Sequence, residues 1–284
     1  MNTLVSARAA ARDRLIPAPS STPRFRLGGR STKAISFAVP AALLVLWQAA
    51  SSAGILSDDI LPSPAAVVAA LKRLTLSGEF ATNVEVSFLR AITGLAVGGG
   101  IGVAFGLANG MSKLSEALSD STIQMVRTIP HLALIPLVIL WFGIDEKAKL
   151  FLVALGTFFP IYANTVHGIR SVDPQLIEMG RSYGMSSVTM FRRVILPGAL
   201  PSIFVGLRYA LGIMWLTLIV AETIAAQSGI GYMAMQAREF MQTDVVVLSI
   251  LIYAALGKLA DSVARWLEAS FLAWNPAYRR GGAG

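Results

Sequence analysis

Between Arg90 and Lys113 the chain reads AITGLAVGGGIGVAFGLANGMS (91–112), without a single charge. A helix needs about 20 mostly apolar residues to cross the hydrocarbon core of a bilayer, and this run supplies them. Within it Gly94, Gly98, Gly102, Gly106 and Gly110 recur at every fourth position. They form one stripe along a helix, and a stripe of small residues lets a second helix backbone approach closely. Tight packing is the expected use of that stripe.

The same reading extends along the chain. Weakly charged runs place six spans at about 34–54, 88–110, 121–143, 148–168, 203–225 and 244–266. Closed β-barrels also satisfy backbone groups in lipid, but their segments alternate in polarity. These runs are continuous and rich in Leu, Ala and Ile, so the expected fold is an all-α integral membrane protein with six transmembrane helices. Composition agrees. Of the 284 residues, 55% are hydrophobic and 14% charged, against about 25% charge in a soluble domain.

The net charge of +8 would suggest nucleic acid in a soluble protein. Its distribution points elsewhere. With both termini cytoplasmic, fourteen Lys and Arg residues fall on the inner segments and five on the outer ones, which is the positive-inside pattern. No nucleic-acid partner is expected. Residues 1–33 read as a basic, disordered cytoplasmic tail, residues 34–268 as the transmembrane domain, and residues 269–284 as a second cytoplasmic tail. The tail composition also suits an organellar transit peptide, the less favoured reading. The first apolar run is long enough to span, so no cleavable signal is expected.

Absences narrow the chemistry. There is no cysteine, which removes disulfide scaffolds, thiol nucleophiles and the common zinc sites. No G-x-x-x-x-G-K-[ST] phosphate loop, G-x-S-x-G elbow or H-E-x-x-H motif occurs, so no catalytic residue, cofactor or metal is expected. His131 and His167 read as hydrogen-bonded packing residues. Arg127, Arg208 and Glu222 fall within spans. Intramembrane charges face protein or a water-filled route, and near helix ends they also snorkel; both readings stay open, an anion path or a structural role. Lys258, Asp261, Arg265 and Glu268 read as a salt-bridged stripe. Ser63-Pro64 reads as the cap of a short outer amphipathic helix carrying Val67, Leu71 and Leu74.

Segment 170–200 is unusually organised for a connector. Asp173-Pro174 is an N-cap and first-turn pair, and QLIEMGRSY (175–183) reads as a short helix. Gly184 falls where a left-handed C′ residue is needed. Ser187 is placed to cap a second short helix to Val194, ended by Leu196-Pro197. Two capped helices around a glycine make a docking elbow for a cytoplasmic partner.

At this elbow the residues become recognisable. Glu178-Met179-Gly180, three residues, Gly184, nine residues, then Val194-Ile195-Leu196-Pro197 resembles the EAA motif of ABC importer permeases. It departs from that pattern at Met179 and Gly180, where alanines are usual, and at Val194. RTIPHLALIPLVILWFGIDEKAKLFLVALGTFFPIY (127–162) is similar to the permeases for nitrate, sulfonate, taurine and bicarbonate. The stretch 214–261, beginning MWLTLIVAETIAAQSGIGY, is most similar to the aliphatic sulfonate branch. The resemblance covers about residues 35–280.

It implies a type I importer permease of the bacterial inner membrane. A second permease chain completes a homodimer, two cytoplasmic ATP-binding subunits dock inside, and a substrate-binding protein docks outside. It assigns coupling to the ATPases to Glu178, Met179, Gly180, Gly184, Leu196 and Pro197. The rival is a secondary transporter or channel, which would want inverted repeats or ionisable residues deep in the spans.

Overall fold

A computed structural model describes residues 29–57 and 59–275. Most of the tail expected at 1–33 and residues 276–284 of the second tail lie outside the described residues. Among the described residues the chain is all-helical. It divides between Val45 and Leu46 into two units. The first contributes the start of α1 (Gly29–Ser52), and the second carries every other element.

Helix α2 (Pro64–Ser77) begins as read: Ser63 accepts a hydrogen bond from the Ala66 amide at 3.1 Å, with proline in the first turn. Val67 and Leu74 are buried and Leu71 half-buried. The helix packs on α11 (Thr243–Phe271), where Arg73 reaches Asp244 at 3.1 Å.

Helix α3 (Glu79–Met111) and helix α6 (Glu146–Arg170) form the centre. The glycine stripe of α3 faces α6. A β-carbon on Gly94 would press on Val153, one on Gly102 on the Phe158 carbonyl, and one on Gly106 would lie 2.5 Å from Thr165 Cβ. At Gly98 it would run into the Ala154 carbonyl oxygen and the Thr157 hydroxyl. Beside the stripe Val97, Ile101 and Phe105 are exposed, as suits a helix with apolar surroundings. Replacing Gly98 by Leu is expected to cost about 1–3 kcal/mol through overpacking. Gly100→Leu is the control, because a β-carbon there meets nothing within 4 Å. Equal thermal midpoints for the two variants in detergent would remove this account.

The third expected span, 121–143, is not one rod. Helix α4 (Lys113–Arg127) stops, a 3-10 turn follows at His131–Leu134, and α5 (Ile135–Phe142) leaves at 82° to α4. Pro130 disfavours helical backbone at the residue before it and cannot donate to the preceding turn. Pro136 sits in the first turn of α5 and causes no bend of its own.

Helices α7 (Pro174–Ser182) and α8 (Ser187–Met190) form the elbow. The second cap is Ser186 rather than Ser187; its hydroxyl accepts from the Thr189 amide at 3.3 Å. Leu196-Pro197 does not end that arm. The chain passes through a π turn (Phe191–Ile195) into α9 (Leu196–Ala225), and Pro197 lies in the first turn of α9, where a missing amide proton is tolerated. Helix α10 (Ile230–Glu239) and α11 complete the molecule.

Among the described residues four helices are long and apolar enough to cross a membrane: α3, α6, the continuous Ser187–Ile224 and α11; the bent pair α4–α5, taken as one span, makes a fifth. In α1 the apolar stretch Ala38–Ser52 is shorter than a crossing. One core joins α2, α3, α9, α10 and α11 around Met214, Leu218 and Ile230. A smaller one joins Ile135 and Val138 of α5 to Leu152 and Ala221.

Candidate functional site

Two constructions stand out, at opposite ends of the long helices. The first is the elbow. Asp173 accepts from the Gln175 amide at 2.9 Å and starts α7. At its far end the Gly184 amide bonds the Arg181 carbonyl at 2.9 Å, and the Met185 amide bonds the Gly180 carbonyl at 3.0 Å. This pair of bonds is a Schellman stop, and Gly184 holds φ +69°, the left-handed conformation expected of it.

Gly180 is buried where the two arms meet: a β-carbon there would lie 2.5 Å from Met190 Cε. Only a small residue fits, with Met190 yielding. Glu178 and Met179 are exposed, as are Leu176, Tyr183 and Val188. Leu196 and Pro197 are half-buried where the elbow runs into α9. The elbow therefore offers a mixed apolar and charged surface, Asp173 and Glu178 alongside Arg181, Arg192 and Arg193, with its glycines holding the shape beneath.

The second construction was not anticipated in full. Glu222, 1% exposed near the end of α9, takes hydrogen bonds from Ser87 and Arg90 at 2.8 Å, and from Tyr253 and the Gly231 amide at 2.9 Å. Arg90, 5% exposed, bridges Glu222 to Glu146, which Lys149 also pairs at 2.9 Å. Two acids balance two bases. Arg90 also donates to the Ser228 carbonyl at 2.6 Å, while Asn83 and Ser87 accept from the amides of Gly229 and Ile230 at 2.8 Å. This latch ties α3, α6, α9, α11 and the loop before α10. A buried charge is tolerated when paired and hydrogen-bonded, and each one here is.

Of its members only Glu222 was singled out in the sequence. Arg90 served there as the edge of an apolar run. Its register held the signal, because Arg90 lies four residues before Gly94 and extends the glycine stripe toward the interior.

Arg208 pairs with Glu268 at 2.5 Å and approaches Asp261 at 3.7 Å, while Arg265 pairs with Asp261. The expected stripe on α11 thus reaches across to α9. Arg127 is exposed at the last position of α4. His131 is hydrogen-bonded to Thr217 at 2.9 Å. No group of three or more potential metal ligands occurs among the described residues.

Residues 96–272 match the family model described as binding-protein-dependent transport system inner membrane component. The permease protein SsuC of Escherichia coli strain K12, named for aliphatic sulfonate transport, is 62% identical over 240 residues, 84% of this chain and 91% of that protein. SsuC of Bacillus subtilis strain 168 is 46% identical over 84% of this chain and 87% of its own. The taurine transport system permease TauC of E. coli strain K12 is 34% identical over 85% and 90%. Among solved structures, an amino acid ABC transporter shares the fold, with a TM-score of 0.58 at 19% identity over 70% of this chain and 97% of that one. With a family match over most of its length and its relatives covered almost end to end, this chain belongs to the binding-protein-dependent inner membrane components, the permeases of ABC importers.

Proposed function

We propose that this chain is the non-catalytic permease subunit of an ATP-driven importer for aliphatic sulfonates, a multi-pass protein of the bacterial inner membrane. One observation carries the substrate: 62% identity across 91% of a permease named for that transport. Two copies form the path, with α1 as the sixth crossing and both termini inside. Two ATP-binding subunits dock on the inner elbow, and an extracytoplasmic binding protein delivers the anion. In this orientation Glu178 and Met179 present the docking surface, Gly180 and Gly184 hold its shape, and Leu196-Pro197 join it to α9. The latch lies at the outer ends of the helices. Docking and ATP-driven closure of the partners would shift the population between inward- and outward-facing states.

Of the three intramembrane charges, Glu222 and Arg208 are already met by partners in this chain, which supports the structural reading. Arg127 is the one offered to an anion.

The test is uptake by the permease expressed with its ATPase and binding protein. Labelled ethanesulfonate should enter, be competed by other alkanesulfonates, and stop on ATPase inhibition but not on collapse of the proton gradient. Better competition by taurine or nitrate would keep the importer and replace the substrate. Uptake that stops only with uncoupler would favour a secondary transporter.

A further inference from the structure

The break between α4 and α5 lies deep in the helical bundle. His131 Nε2 sits 3.3 Å from where a β-carbon on Gly156 would be. At 1.5 Å per residue, Gly156 is about 15 Å along α6 from Glu146 and about 21 Å from Arg170. The 3-10 turn is therefore near mid-depth. Backbone that leaves helical geometry at membrane depth is tolerated only where protein buries it or where it lines a water-filled cavity.

This chain buries only part of it: Leu132 and Leu134 pack on the smaller core, while Thr128, Ile129, Pro130 and Ala133 are exposed. Three elements instead build a polar point there. The break brings His131 inward, Gly156 leaves room for the imidazole, and the buried hydroxyl of Thr217 holds Nε2 at 2.9 Å. No described residue bonds Nδ1, which is not among the buried unpartnered atoms. Arg127 stands exposed just before the break. A cationic side chain at this depth calls for water rather than a dry protein contact.

We propose that the exposed residues of this break, Thr128, Ile129, Pro130 and Ala133, line the aqueous route through the permease, and that His131, positioned by Thr217, hydrogen-bonds the anionic group in transit. The second clause rests on the importer reading above; the first does not depend on the substrate.

The chain has no cysteine, so a single introduced thiol reports one place. Thr128→Cys, His131→Cys and Ala133→Cys would be made in the full transporter in membrane vesicles. Leu140→Cys, on an apolar position 79% exposed, is the lipid-side control. A charged, membrane-impermeant methanethiosulfonate should label the three break positions at least tenfold faster than position 140. Rates equal to the control, or cross-linking between two copies without aqueous labelling, would overturn the route.

The contact has its own readout. His131→Leu should raise KM for ethanesulfonate uptake about tenfold while the thermal midpoint in detergent holds, and His131→Gln, which keeps a hydrogen-bonding group, should recover much of the loss. An unchanged KM with a lowered midpoint would make His131 a packing residue. If labelling succeeds while ethanesulfonate itself is not transported, the route stands and the substrate assignment falls.

Discussion

Replacing Glu222 with alanine is expected to lower stability by about 3–5 kcal/mol, the scale for removing one partner of a buried ion pair. The substitution deletes the acceptor for Ser87, Arg90, Tyr253 and the Gly231 amide together. It also leaves Arg90 buried with one acid, Glu146, to answer it. The loss should appear as a large drop in thermal midpoint in detergent and in protein recovered from membranes. Glu222→Gln keeps an acceptor oxygen and loses only the charge, so it should fall between alanine and wild type. An alanine variant that melts with the wild type would show that the latch contributes nothing to the fold.

Gly184→Asp should do the opposite, sparing the fold and abolishing transport. The left-handed conformation at Gly184 costs an L-residue about 1–2 kcal/mol, and aspartate is among the side chains that tolerate it best. A β-carbon there meets nothing within 4 Å, so nothing in this chain is displaced. The new carboxylate would instead project from the elbow at the surface proposed to receive the ATPase. Expected are normal insertion, a thermal midpoint near wild type, and loss of ATPase co-purification or of uptake. Uptake at the wild-type rate would sink the coupling role of the elbow.

The glycine stripe of α3 and both caps of α7 were legible because each depends on local spacing. A period of four puts glycines on one face whatever they meet, and Asp173-Pro174 and Gly184 act within a turn. The latch was not legible, because its partners come from residues 87, 90, 146, 222, 231 and 253, and only folding brings them together. Charge was also taken as the edge of a span. Paired charges can continue a helix inward, so α3 starts at Glu79 rather than near residue 88 and α6 at Glu146. The break at Pro130 was half legible. A proline inside an apolar run disfavours a straight helix, but neither the 82° size of the bend nor the 3-10 turn after it is written in a hydropathy profile.

The uninterrupted run Ser187–Ile224 has 38 residues and is about 57 Å long at 1.5 Å per residue. It starts in the elbow and carries Glu222 at its other end. A lever of that length, tilted by about 5° at its inner end, sweeps its tip sideways by about 5 Å. If the elbow receives an ATPase as proposed, the docking arm and the ion pair of Glu222 are two ends of one helix, and a tilt imposed at one is carried to the other.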